Sequence, residues 1–471
     1  MRTPFLYRLT RVMVRIALAV YFRRIESAGA QNVAATGPMI MASNHPQSVT
    51  DALVLGLCSG RTLHYLAHSG LFRTKWKAWF LRHSGVIPVY RRHEVEDAAD
   101  RNVPMFAACY RLMERGGAIS IFPEGTSAEE RRVRRLKTGA ARIALESEQK
   151  NSWKLGVLMV PVGLNFESRR RIRSRVLASF GKPIIVAEYR QAYHDDPVAT
   201  VKRLTSDLQQ AIRRRVISIE SSELEELARD LEIVYKGELM DREGTAIPGG
   251  SKFKRDQLVS REMLRALDYF YEYHPEVIWR MGTLLKSYRR KLDRFHLKDE
   301  MLRQEKGPTA IRETARFAAR GAIGLPFALY GALWNFLPYK VTGWIAGRQS
   351  KDVTKIHLRQ LLWGAFVYPL YYAPLVYAAY RLIGLVGAAV FAMTLPPTGI
   401  FARAYTRHMV RRRRMLRFAY LELQNRYFVQ KLRQQRERLI EELDDAMEEY
   451  LQARGQDATG ASPPLEADPG S

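Results

Sequence analysis

The stretch Asn44–Asp51, NHPQSVTD, holds a histidine and an aspartate close enough in sequence to share one proton. A neutral imidazole takes a proton from a hydroxyl when its other ring nitrogen is held in the right tautomer, and a carboxylate does that holding. The chain has no G-x-S-x-G sequence that would mark an activated serine. On this reading His45 acts directly on a substrate hydroxyl and Asp51 orients it. The same octapeptide also fits a histidine that ends a strand and an aspartate that caps a helix, and on these residues alone both readings stand.

The elements that must position the pair can be read from the flanks. Met39, Ile40, Met41, Ala42 and Ser43 form an uncharged run with the length of a short buried strand. Pro46 breaks it, and Asp51 opens the apolar run Ala52–Leu57, which predicts the first turns of a helix. An imidazole at a strand tip and a carboxylate in the next helix can then meet.

Three further stretches place chemistry at predicted strand ends. In GVIPVYRR, Gly85, Ile87 and Val89 alternate as a strand that delivers Arg91 and Arg92; a guanidinium there suits a phosphate, and a solvated strand end is the plainer reading for Arg92. In ISIFPEGTS a buried strand runs into Pro123, Glu124, Gly125 and Thr126, with the glycine allowing a ligand close to the backbone. Ser127 and Glu130 form a capping box there, and exposed amides at such a helix start can receive an anion. In VPVGLNF a buried strand ends with Pro161. Between the last two lies a basic run, Arg131 to Lys137, of the kind that usually forms a solvated face.

Taken in order, NHPQSVTD, GVIPVYR, FPEGTS and VPVGLNF resemble the four blocks of the glycerolipid acyltransferases, over about residues 25–190. Five residues separate His45 from Asp51 where four are commonest. That spacing resembles a branch with fungal glycerol-3-phosphate and dihydroxyacetone-phosphate acyltransferases and bacterial relatives. The resemblance implies a mixed α/β sheet flanked by helices, and transfer of a fatty acyl group from a thioester to a hydroxyl of glycerol 3-phosphate or dihydroxyacetone phosphate, with lysophosphatidate as the alternative acceptor. It implies that Arg91, Glu124, Gly125 and Thr126 hold the acceptor, that Lys137 in LKTGAARIA lies at the phosphate-side helix entry, and that the Pro161 block lies on the acyl-donor side. No metal and no bound cofactor is implied; acyl-CoA or acyl carrier protein serves as co-substrate.

Composition bounds the partners. A chain of 471 residues with formal net charge +27 and pI near 10.1 calls for an anionic partner. No zinc-finger, RNA-recognition or basic-zipper pattern supports nucleic acid, and basic clusters beside apolar runs favour anionic lipid. Cys58 and Cys109 sit in apolar surroundings, which predicts neither a disulfide framework nor a metal site, and fits a cytoplasm-facing catalytic domain. A non-catalytic lipid- or partner-binding protein explains charge and apolar runs equally well, and does not explain the four blocks.

Around the expected catalytic domain, 25–190, the chain divides by composition. Residues 1–24 mix Arg2, Arg8, Arg11 and Arg15 with apolar residues, which predicts an amphipathic helix on a membrane surface. Alternating strand-like and amphipathic stretches in 25–190 predict an α/β domain with a mostly parallel or mixed sheet. Residues 191–315 predict a charged helical extension, and 316–415 apolar helices that associate with a membrane, as spans or as a re-entrant hairpin around Arg381. Residues 416–453 predict a C-terminal helix able to self-associate or to fold back on the basic cluster, and 454–471 a disordered tail.

Overall fold

Strands β1 (Arg24–Ala28) to β8 hold one mixed sheet, and its central member, β2 (Met39–Ser43), is wholly buried. The computed structural model describes residues 5–90, 97–125, 132–168, 173–217, 224–242, 251–303, 309–349 and 353–459. Helix α1 spans Phe5–Tyr21; α2 (Val49–Cys58), β3 (Leu63–His68), α3 (Lys75–His83), β4 (Val86–Val89), α4 (Ala98–Glu114), β5 (Ala118–Ile121) and α5 (Gly139–Lys150) follow. Then come β6 (Leu158–Phe166), β7 (Arg175–Phe180), β8 (Ile184–Ile185), α6 (Arg190–Asp195) and α7 (Pro197–Arg213). The strand order is β1-β7-β6-β2-β5-β3-β4, with β8 also on β6.

β2, β3, β4, β5 and β6 run parallel, so their C-terminal ends share one edge. β6 turns antiparallel against β7 and β8. The apolar strand alternation explains the layering. Ile40, Ala42, Ile119 and Met159 point into a core closed by Met105, Cys109 and Met113 of α4, by Ile143 and Ala144 of α5, and by Leu204, Leu208 and Ile212 of α7. Met39 and Met41 point to the opposite face and are equally buried.

One expectation is corrected. Pro161 does not end a strand: β6 continues to Phe166, and Pro161 is its fourth residue, opposite Ala42. A proline is tolerated in mid-sheet because of where the neighbouring ladders stop. β8 pairs Leu158 and Met159, and β7 pairs from Val162 onward, so Pro161 lies between the two ladders. Its carbonyl accepts the Gly181 amide at 2.8 Å on that side, and the missing N–H, which faces the same way, leaves no partner stranded.

Two units divide the chain, one comprising 1–222 with 244–264 and the other 223–243 with 265–462. The second is helical: α8 (Leu224–Val234), α9 (Lys236–Arg242), the C-terminal part of α10 (Lys252–Tyr273), α11 (Pro275–Arg294), α12 (Asp299–Arg303), α13 (Thr309–Gln349), α14 (Val353–Gln424) and α15 (Arg426–Thr459). Arg436 of α15 is buried and offset by Asp299, at 2.9 and 3.1 Å, and by Glu238 at 2.7 Å; Tyr288 donates to the same aspartate at 2.7 Å. A buried guanidinium held by two carboxylates fixes α15 onto α9, α11 and α12. Val429, Leu432, Leu439 and Leu443 of α15 are buried.

α14 is broken at Gly384, whose φ of +73° suits a glycine. Its stretch Trp363–Val410 is the one helix, among the described residues, long and apolar enough to cross a membrane, and little of it is buried. α13 packs on it through small residues and polar bonds: a Cβ on Gly331 would meet the Thr398 carbonyl, Tyr372 donates to Asn335 Oδ1 at 2.6 Å, and Asn335 Nδ2 donates to the Leu395 carbonyl at 3.1 Å.

Candidate active site

At the C-terminal end of β2 the chain leaves the sheet through Asn44, whose amide is pinned to the neighbouring strand. Its Nδ2 donates to the Leu164 carbonyl at 3.1 Å and its Oδ1 accepts the Leu164 amide at 2.7 Å. This side chain stands in for a strand partner just where β2 stops. The next residue, His45, is thereby held at the strand tip.

The turn that follows brings the acid back. Pro46 precludes further strand, Ser48 takes φ +62°, and the Asp51 amide donates to the Ser48 carbonyl at 3.1 Å. A serine in this region is strained by roughly 1–3 kcal/mol, a cost met by the bonds on either side. Asp51 enters the first turn of α2, where the helix dipole favours an anion, and is 0% exposed. Its Oδ2 accepts the Gln47 amide at 2.7 Å and lies 3.0 Å from His45 Nδ1. The two side chains therefore meet, as the spacing predicts.

Phe122 and Glu124 close the other side. The His45 ring lies against the Phe122 ring, centroids 4.1 Å apart and planes 19° inclined. Glu124, 7% exposed, accepts the His45 amide through Oε1 at 3.3 Å. Burial pushes its carboxyl up from 4.5 to about 7, against the opposing pull of the His45 amide, His45 and Arg134; the Asp51 charge adds to the rise. Gly125 turns the chain at φ +75°, and a Cβ there would lie 2.7 Å from Lys137 Nζ. The Lys137 amide donates to the Pro123 carbonyl at 2.8 Å, so the lysine crosses directly over the Phe122–Gly125 turn.

The structure thus gathers His45, Asp51, Glu124, Gly125 and Lys137 at one edge of the sheet. Pro161 is in the interior of β6 and buried. Arg91 and Thr126, with Ser127 and Glu130 of the expected capping box, lie outside the described residues. Sequence reasoning did not single out Asn44 or Phe122 as positioning groups. The asparagine at a strand end was the available signal, since its side chain can replace a backbone partner. Three amides near the pair already have acceptors, His45 on Glu124, Gln47 on Asp51 and Gly125 on the Phe122 carbonyl at 3.0 Å.

At the end of a parallel strand a histidine thus faces a buried carboxylate, beside a glycine turn crossed by a lysine, which sets an imidazole–carboxylate pair next to a cation. Residues 24–165 match the family model described as Acyltransferase, and the chain carries a domain of that family. It is similar to glycerol-3-phosphate O-acyltransferase 2 of Saccharomyces cerevisiae, 27% identical over 214 residues, which are 44% of this chain and 26% of that protein. It is also similar to a chloroplastic 1-acyl-sn-glycerol-3-phosphate acyltransferase of Arabidopsis thaliana, 28% identical over 150 residues, 31% of this chain and 38% of the other. The chain thus spans well under half the length of these relatives. The crystal structure of the 1-acyl-sn-glycerophosphate acyltransferase PlsC from Thermotoga maritima aligns at 18% identity and TM-score 0.30, over 43% of this chain and 79% of that one.

Proposed function

We propose that this acyltransferase moves a fatty acyl group from a thioester, acyl-CoA or acyl carrier protein, to a hydroxyl of glycerol 3-phosphate or dihydroxyacetone phosphate. The observation that carries the reading is the 3.0 Å approach of Asp51 Oδ2 to His45 Nδ1. With Nδ1 protonated and facing the carboxylate, Nε2 is the basic nitrogen. It takes the proton of the acceptor hydroxyl as that oxygen attacks the thioester carbonyl. The tetrahedral intermediate expels the thiolate, and the proton on Nε2 passes to the departing sulfur. Atoms and charge balance with no added group.

Lys137, crossing Gly125, holds the acceptor phosphate, and Gly125 keeps the turn low enough for that approach. By resemblance Arg91 and Thr126 serve the same ligand. Glu124 acts chiefly on the protein, holding the His45 backbone in place. The apolar α14 stretch anchors the chain in a membrane, with α1 lying on its surface through exposed Val12, Ile16 and Val20. The His–Asp spacing favours the small glycerol-phosphate acceptors, and lysophosphatidate is the alternative.

The test is acyl transfer by membranes supplied with labelled glycerol 3-phosphate, dihydroxyacetone phosphate or lysophosphatidate, each with either thioester. Transfer to glycerol 3-phosphate or dihydroxyacetone phosphate supports the reading. Transfer to lysophosphatidate alone moves the acceptor, and transfer to none of them removes the reading.

A further inference from the structure

Helix α3 and the turn before it carry an unpartnered apolar surface that the catalytic reading does not use. Leu71 is 46% exposed, Trp76 65% and Trp79 57%, although tryptophan is among the costliest residues to leave in water. No residue of α3 is fully buried, and its inward side is formed by the half-buried Ala78, Phe80 and Leu81, so both tryptophans are left on the outer side. The patch continues onto the imidazole of His83, whose centroid lies 4.6 Å from that of Trp79.

Charge identifies the occupant. Arg73, Lys75, Lys77 and Arg82 are all exposed around these rings, and Lys77 Nζ stands 5.5 Å over the Trp76 ring. Between Asp51 and Glu94 the sequence has no acidic residue. Large aromatic rings in a stretch of chain whose only charged side chains are cations match the headgroup layer of an anionic bilayer, where tryptophan buries its ring and lysine and arginine meet phosphate. A protein partner would need acids for these cations and a cavity for two indoles.

Topology places the patch. β3 runs parallel to β5 and β4, and β5 to β2, so the C-terminal end of β3 lies on the same sheet edge as His45. The turn Ser69–Phe72 and the start of α3 follow that end directly.

We infer that Leu71, Trp76 and Trp79, ringed by Arg73, Lys75, Lys77 and Arg82, form a second membrane-contact surface that seats the catalytic edge of the sheet on anionic lipid. It rests on the acyl-transfer reading only for its consequence, entry of a lipid substrate from the bilayer; the surface itself stands on the residues above. The full chain reconstituted in phosphatidylglycerol vesicles tests it through tryptophan fluorescence, with the Trp76→Phe/Trp79→Phe double variant subtracted to isolate these two rings. Phenylalanine keeps the surface apolar, and matching circular dichroism of the two proteins checks that the fold is shared.

The isolated emission loses most of its intensity when the lipid tails are brominated, and is shielded from aqueous iodide. In phosphatidylcholine vesicles the shielding falls. Emission that iodide quenches freely and brominated lipid leaves untouched overturns the surface, and equal shielding in both lipids overturns the anionic lipid as its occupant. Because no turnover is read, the His45→Ala protein must give the same result, which separates this inference from the assignment of activity.

Discussion

The imidazole of His45 lies flat on the ring of Phe122, 4.1 Å centroid to centroid, while its Nδ1 stands 3.0 Å from Asp51. The ring rests on one neighbour and turns its Nδ1 towards the other, so the imidazole is positioned from two sides. Phe122→Leu keeps the bulk and loses the stack. It lowers kcat about tenfold and leaves the acceptor KM within about twofold, because geometry rather than binding is lost. Steady-state kinetics check this; an unchanged kcat removes Phe122 from the positioning scheme.

Asn44 supplies both bonds that Leu164 makes at the end of β2. Asn44→Ala leaves a buried amide and carbonyl without partners, at a cost of about 2 kcal/mol. Thermal unfolding in detergent shows a lower Tm, and kcat falls with it because the residue carries His45. A variant with wild-type Tm shows that the bridge contributes nothing.

Glu124 gives a signed pH dependence. Its carboxyl titrates at about 7 in the folded protein against an ordinary 4.5, so between those values the folded state binds more protons than the unfolded one. Wild-type stability therefore falls as pH rises through that window, relative to Glu124→Gln, whose amide oxygen still accepts the His45 N–H. The difference is absent below about 4.5, complete above about 7, and at most about 3 kcal/mol. Denaturation of the two proteins across the window reads it directly, and parallel curves contradict it.

Much of this site was legible in the chain, and the unread parts have physical reasons. β2 and β5 are unbroken apolar runs, which announce buried central strands, and the octapeptide after β2 shows the histidine, the breaking proline and the acid in order. β1, RIESA, was missed because it pairs only with β7 at the sheet edge and carries charge. β3, LHYLAH, was missed because its two histidines obscure the alternation, although it joins β5 to β4. β6 was read as too short because a proline normally ends a strand, and only the gap between the β7 and β8 ladders permits it here. The bond from the His45 amide to Glu124 was not legible for a related reason: it depends on how β5 lies against β2.

Lys137 and Gly125 form one device. Gly125→Ala puts a Cβ 2.7 Å from Lys137 Nζ at a positive φ, which costs about 1 kcal/mol in backbone strain and displaces the lysine. Lys137→Ala removes the cation with little effect on stability, since the side chain is exposed. Both variants raise the KM for glycerol 3-phosphate about tenfold and change kcat far less. Equal kinetics for Lys137→Ala and wild type exclude the lysine from acceptor binding.

The central claim is that His45, held by Asp51, takes the proton of the acceptor hydroxyl. Its most direct measurement is the kcat of His45→Ala and Asp51→Asn, folded and membrane-bound, with the acceptor the wild type uses. Both fall by about 10² to 10⁴, with acceptor and thioester KM little changed. Wild-type turnover by His45→Ala contradicts the account.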